Sequence, residues 1–246
     1  MSNAIRIALS QQVALKRQLA TVANNLANMN TTGFKAENLV FEEHIMPGAS
    51  MDNVNIGSTQ ISYVSDTMLM RDFSSGGLKT TDNPLDVAIN GKGWFTVQTP
   101  LGDRYTRNGH FTLNSNGQLV TSSGHPVVVD GGPLSFSPEE TDITIASDGT
   151  ISTNQGVRGK LQIAIFEMES ILKKEGANLF SSVDAARTPE FVSLAQGMVE
   201  NSNVEPIEQM TKMIEIQRAY ERTASMIEKL GQMKTNAIGK LAQVAA

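Results

Sequence analysis

The sequence predicts an α+β protein: long N- and C-terminal helices packed as a coiled-coil-like pair, with a central all-β antiparallel body. The first ground is apolar spacing at the N-terminal end. Ile5, Ala8, Gln12, Leu15, Leu19, Val22 and Leu26 follow one another at alternating three- and four-residue steps. Met213, Ile216, Tyr220, Thr223, Ile227 and Leu230 repeat that rhythm at the other end. Such steps gather each set on one helical face, in a seam narrow enough to suit a partner helix. The remaining ground is the run of turn pairs between the helices: Asn90-Gly91, Asn108-Gly109, Asn116-Gly117, Ser123-Gly124, Asp130-Gly131 and Asp148-Gly149. Their gaps suit short strands, which predicts an antiparallel sheet closed into a sandwich or barrel.

The first helix is predicted over residues 2–28, with Arg6, Gln11, Lys16 and Arg17 on its polar face. It stops in Asn24, Asn25, Asn28, Asn30, Thr31, Thr32 and Gly33. Asparagine and glycine tolerate the left-handed backbone that ends helices. Phe34 then anchors the emerging strand. Residues 48–66 are polar and read as a long excursion, with a surface loop over 48–57 and short strands at 60–64 and 68–73. Residues 86–89 and 94–98 are β-rich and joined by Asn90-Gly91-Lys92-Gly93, a hairpin signal because a type I′ turn needs positive φ at both central residues. Residues 157–166 continue the pattern, with Leu161, Ile163 and Ile165 on one face. The closing helix begins near Pro206, since proline suits a first turn, and runs to Leu241, a length of about 54 Å. The predicted division is an N-terminal helix of an inner helical domain (1–35), an extended connection (36–84), a central β domain (85–200) and a C-terminal helix of the inner domain (201–246).

Composition narrows the function classes. A chain of 246 residues, 40% apolar, has enough material for a real core. Its net charge of −5 carries no basic stripe, so no nucleic-acid partner is predicted. With no cysteine there is no disulfide, thiolate metal site or cysteine nucleophile. The first twenty residues are broken by Arg6, Gln11, Gln12, Lys16, Arg17 and Gln18, unlike a cleaved signal peptide. No window approaches the roughly 18 apolar residues that span a bilayer, so no membrane insertion is predicted.

Chemistry-bearing residues form no catalytic set. His44, His110 and His125 stand in no metal-ligand spacing. Glu42-Glu43-His44 reads as a solvated loop, and His110 as a turn or strand-surface residue. Asp82, Asp86, Asp103, Asp130 and Asp148 lie mostly in turn sequences, where aspartate serves the backbone. Gly91-Lys92-Gly93 lacks the Gly-Lys-Ser/Thr ending of a phosphate loop. No catalytic, cofactor-binding or metal-ligating residue is therefore assigned, and neither an enzyme nor a small-molecule substrate is predicted. The seams admit an ordinary reading as amphipathic faces packed on the chain's own core. Their narrowness, with Gln12 and Thr223 inside them, favours assembly between helices. The candidate assembly residues are Ile5, Leu15, Leu19, Val22, Leu26, Met213, Ile216, Tyr220, Ile227 and Leu230.

Three segments resemble one family. Residues 22–35, carrying Asn24, Asn25, Asn28, Asn30, Thr31, Gly33, Phe34 and Lys35, resemble the N-terminal signature of bacterial flagellar rod and hook proteins. Residues 83–95, with Asn90, Gly91 and Gly93, resemble that family's central motif. Residues 105–111 continue it, with His110 where Ala, Ser or Asn is more usual. Gln196, Gly197, Glu200, Ser202, Asn203 and Val204, followed by residues 217–221, are similar to its C-terminal signature, with Val199 in place of leucine. The short length excludes most hook proteins, and residues 8–17 and 35–42 look most like the proximal rod protein, with the distal rod protein as alternative.

The resemblance implies a structural subunit of the basal-body rod in the periplasm, polymerising helically through its terminal helices around a central channel to transmit torque. It implies partners among copies of itself and other rod proteins. It also implies export by the flagellar type III machinery without a cleaved signal, and no cofactor. The competing class is an enzyme or carbohydrate-binding domain acting on peptidoglycan, with Asp86 and Asp103 as the carboxylates to replace. A secreted structural protein outside the flagellum is the third reading.

Overall fold

A computed structural model describes residues 2–40, 42–46, 61–65, 69–130, 132–189 and 191–244, with backbone alone at 2–4, 42–46, 61–65, 241–242 and 244. Helix α1 spans Ser2–Ala27 and helix α2 spans Pro206–Val244, with the strands lying between them in sequence. The chain is thus α+β. Its contacts divide it into two compact units, one of residues 1–27, 37–70 and 205–246, the other of residues 28–36 and 71–204.

In the helical unit α1 and α2 are in contact. Proline at its first position starts α2, which runs 39 residues, about 58 Å. This unit also holds an antiparallel pair, Glu42–Met46 with Ile61–Ser65, in which His44 lies opposite Tyr63 and Glu43 opposite Val64. Glu42-Glu43-His44 is therefore a strand and not a loop, since the β-branched and aromatic residues of 61–65 supply it with a partner. The expected excursion over 48–57 lies outside the described residues.

The β unit is a set of small antiparallel sheets around one core, not a single closed sheet. The largest has five strands in the order Ile163–Ala164, Trp94–Thr99, Gly102–Thr106, Leu179–Ser181, Lys173–Gly176. A three-stranded sheet joins Thr144–Ile145, Thr150–Thr153 and Gly156–Lys160. Phe95, Val97, Phe111, Leu119, Val127 and Ile151 fill the space between, each under 2% exposed. A second cluster sets Trp94, Leu172 and Phe180 against Phe73, with Trp94 and Phe180 edge-to-face at 4.9 Å. Leu161 and Ile163 are buried, while Ile165 is half-buried and bridges to Arg187.

Two of the turn pairs do other work. Asn116-Gly117 and Asp148-Gly149 connect strands that pair with each other, while Gly131 lies outside the described residues. Asn90-Gly91 does not. Val87–Ile89 pairs with Leu194–Gln196, and Trp94–Thr99 pairs with Gly102–Thr106. The reason is that Arg107 donates to the carbonyl of Gly91 at 2.6 Å, so the loop folds over a guanidinium and sends the chain into a different sheet. Asn108-Gly109 is a close approach. The Gly109 carbonyl accepts from the Val87 N–H, and a Cβ at Gly109 would sit 1.6 Å from the Val87 oxygen.

Candidate functional site

The asparagine-rich end of α1 acts through side chains. Among the described residues none of these asparagines has positive φ, and only Gly33 in this stretch does, at +66°. Asn25 is fully buried within the helical unit. Its Nδ2 donates to the Glu37 carbonyl at 2.8 Å and its Oδ1 accepts from the Glu37 N–H at 3.0 Å. The same Nδ2 donates to Oε1 of Gln209 on α2, at 3.3 Å. The helix end is therefore secured by an amide mimicking a neighbouring strand, which corrects the left-handed reading. Asn28 accepts from the Thr31 hydroxyl at 3.1 Å, whereas Asn24 and Asn30 are exposed.

Within the β unit the three motif segments meet at a buried charge cluster. Gly33 donates from its N–H to the Glu200 carbonyl at 2.8 Å. A Cβ at Gly33 would lie 2.5 Å from the Arg107 carbonyl carbon and the Asn108 nitrogen, so no other residue fits its positive φ and its space together. Lys35, two residues on, donates from Nζ to Glu200 Oε1 and to the Ser74 carbonyl, both at 2.7 Å. Glu200 Oε1 also accepts from the Gly76 N–H at 3.0 Å, and its Oε2 lies 3.5 Å from Arg107. All three charged side chains are 2% exposed or less. Arg107 also stands over the Trp94 ring at 5.6 Å. Burial pulls both cations below their ordinary pKa, with the Glu200 carboxylate as the main opposing influence.

Asn203 adds a second junction. Its Oδ1 accepts from the Ala36 N–H at 2.7 Å and its Nδ2 donates to the Asp72 carbonyl at 2.8 Å. Phe34, Ala36 and Val204 pack beside it, with Phe34 2% exposed. Ser202 accepts from the Val204 N–H at 3.3 Å. Asn90 stays exposed with its N–H on the Ser193 carbonyl, and Gly93, at φ +140°, leaves space that Ile163 occupies. The structure thus brings Gly33 and Gly91 to Lys35, Arg107 and Glu200, while Phe34, Asn203 and Val204 meet at the second junction. Lys35, Arg107 and Glu200 were not assigned as site residues. Their signal was a charge of each sign inside otherwise apolar or small-residue motifs.

The seam residues occupy the helical unit. Val22 is buried; Ile5, Leu15, Leu19, Leu26, Met213, Ile216, Tyr220, Ile227 and Leu230 are half-buried. Leu15, Val22, Leu39, Ile216 and Ala219 line a groove of about 430 Å³. Other apolar side chains stand in the open. Leu9 and Val13 lie one turn apart on α1, and Ile207, Met210 and Ile214 follow three- and four-residue steps on α2. At 100° per residue Ile207 lies about 180° round α2 from Ile216, so α2 carries a second apolar stripe opposite the first.

The two carboxylates weighed for catalysis stand apart in different surroundings. Asp86, 2% exposed, accepts from the Thr81 hydroxyl at 2.6 Å and from the Asn83 amide at 3.1 Å, and lies 2.7 Å from His110 Nδ1. Asp103 is exposed near the start of the strand Gly102–Thr106, its carbonyl accepting from Arg104. Among the described residues no helix is long and apolar enough to cross a membrane.

Comparison with known proteins gives these segments a common context. Residues 5–35 match the family model for flagella basal body rod protein, residues 88–153 that for the flagellar hook protein FlgE/F/G D1 domain, and residues 195–239 that for the flagellar basal body rod FlgEFG protein C-terminal region. The chain is 40% identical to the flagellar basal-body rod protein FlgF of Caulobacter vibrioides, over 99% of this chain and 100% of that protein. It is 36% identical to FlgF of Mesorhizobium japonicum over 98% of each chain. Against the rod protein FlgG of Buchnera aphidicola subsp. Baizongia pistaciae the identity is 36%, over 95% of this chain and 97% of that one. The chain belongs to the flagellar basal-body rod protein family.

Proposed function

We propose that the chain is a structural subunit of the flagellar basal-body rod, serving motility by transmitting torque and not by catalysis. The observation that carries this reading is likeness to rod proteins along essentially the whole chain, in the same order of segments. The inner helical domain pairs its two helices in coiled-coil fashion and polymerises helically with other copies and other rod proteins. The central β domain is held closed by the Lys35–Glu200–Arg107 cluster. Half-buried seams, with further apolar side chains exposed on both helices, support assembly through the helices. Burying that area is worth about 25 cal/mol per Å², and the gain comes on assembly. Heterologous contacts of this kind build open filaments. The subunit reaches the periplasm through the type III export machinery without a cleaved signal.

Within the rod the chain belongs to the proximal segment, a reading supported by the likeness of residues 8–17 and 35–42 to the proximal rod protein. The distal rod is the second reading, and the relatives named FlgG keep it open to test. The experiment is deletion of the gene in its source organism. Motility is lost and returns with the intact chain, but not with Ile216→Glu. Motility unaffected by deletion contradicts the proposal.

A further inference from the structure

The chain has three Asn-Gly pairs, Asn90-Gly91, Asn108-Gly109 and Asn116-Gly117. In such a pair the glycine nitrogen can attack the preceding side-chain amide, because no Cβ stands in the way. The β unit holds all three and treats them differently. At Asn116 the Gly117 N–H is already donated to the Asn114 carbonyl, at 2.9 Å. At Asn108 the side-chain Oδ1 accepts from the His110 N–H at 3.0 Å, and Gly109 is packed against the Val87 carbonyl. Asn90 and Gly91 are exposed, and a Cβ at Gly91 would meet nothing within 4 Å. Among the described residues neither the Asn90 side-chain amide nor the Gly91 N–H has a hydrogen-bond partner. Ring closure at this pair therefore breaks no hydrogen bond of either group. Arg107 donates to the Gly91 carbonyl at 2.6 Å and Lys92 is the next residue. Positive charge beside the Gly91 nitrogen favours the loss of its proton.

We propose that Asn90 is a site of spontaneous deamidation, and that the isoaspartate it yields loosens the Gly91 loop from Arg107. The Gly91 nitrogen bonds to Asn90 Cγ, the Cγ–Nδ2 bond breaks, and the displaced proton leaves with Nδ2 as ammonia. Water then opens the cyclic imide. Attack at Cγ gives aspartate, and attack at the main-chain carbonyl gives isoaspartate. Nothing is oxidised or reduced. Both products add a negative charge, and isoaspartate also lengthens the main-chain path by one carbon. That carbon falls between two anchors, the Asn90 N–H on the Ser193 carbonyl at 2.7 Å and the Gly91 carbonyl on Arg107, and displaces the second.

The test incubates the purified full chain, folded and in urea, at mildly alkaline pH, and follows each site by peptide mass spectrometry. Isoaspartate is measured with isoaspartyl methyltransferase and a labelled methyl donor. In the folded chain Asn90 converts several-fold faster than Asn108 and Asn116. In urea the three rates draw together, because the dipeptide is the same. Asn90→Gln removes most of the methyl label from the folded chain. The melting temperature falls in step with isoaspartate content at position 90, whereas Asn90→Asp, with its ordinary main chain, melts close to the parent. Conversion of folded Asn90 no faster than that of Asn108 or Asn116 overturns the proposal. Isoaspartate at position 90 with unchanged melting overturns the loosening of Arg107.

Discussion

The side-chain amide of Asn25 hydrogen-bonds both main-chain groups of Glu37, giving its N–H an acceptor and its carbonyl a donor. A residue inside a helix thereby replaces a neighbouring strand. No other side chain of similar size but glutamine offers one donor and one acceptor in this way. Asn25 also reaches Gln209, so one buried amide links the end of α1, the chain that follows it and the start of α2.

Removing that amide takes a donor and an acceptor from the half-buried main chain of Glu37 and a donor from buried Gln209. Asn25→Ala is expected to cost about 1–3 kcal/mol, read by chemical denaturation, with faster hydrogen exchange at the Glu37 amide. Asn25→Asp keeps the acceptor but loses the donor and adds a buried charge, so it is no milder. A loss below about 0.5 kcal/mol, within the range of ordinary surface changes, contradicts the assigned role.

The pair Lys35–Glu200 is fully buried, so breaking it from one side strands a charge. Lys35→Met and Glu200→Gln are each expected to cost about 3–5 kcal/mol. The double variant costs clearly less than their sum, because the Lys35–Glu200 pair is then removed from both sides and only Arg107 lacks its carboxylate, as it already does in Glu200→Gln. A double-mutant cycle that comes out additive shows that the two side chains do not act as a pair.

Gly33 and Gly91 separate crowding from backbone strain. Both have positive φ, +66° and +105°, but only at Gly33 would a Cβ meet the main chain of Arg107 and Asn108. Gly91→Ala carries strain alone, of about 1–3 kcal/mol. Gly33→Ala carries strain plus a clash with backbone that cannot move aside, and is expected to be the more destabilising. The opposite ranking in thermal melts is incompatible with the packing described.

Ile207 is 82% exposed. Ile207→Glu is expected to change the stability of the isolated subunit by less than about 0.5 kcal/mol, yet to abolish motility when it is the sole copy. Normal swimming by that variant, with rods of normal composition, removes the open stripe of α2 from the assembly surface.

The helices were legible because apolar residues three and four apart are a local signal, and proline at 206 marks a first turn by its own geometry. Strand partners were not. Asn90-Gly91 looks like a hairpin turn from any local window, but the partner of Val87–Ile89 is Leu194–Gln196, more than a hundred residues away. The loop's course depends on Arg107, whose carbonyl acceptors no spacing rule reveals. Similarly, Lys35 and Glu200 are 165 positions apart, and each alone reads as a surface charge. The asparagines after Val22 suggest backbone tolerance by their type, whereas Asn25 is used for its amide. The motif segments were visible as a set, and what they share, a buried lock between the entry and exit of the β unit, became visible only in three dimensions.

The most direct test of the central claim is quantitative mass spectrometry of detergent-purified flagellar basal bodies from the source organism, counting this chain against the other rod and hook proteins. The account predicts that the chain is present at a few copies per particle, as a short proximal segment requires. A count several-fold higher moves it to the distal rod, and its complete absence contradicts the assignment as a rod subunit.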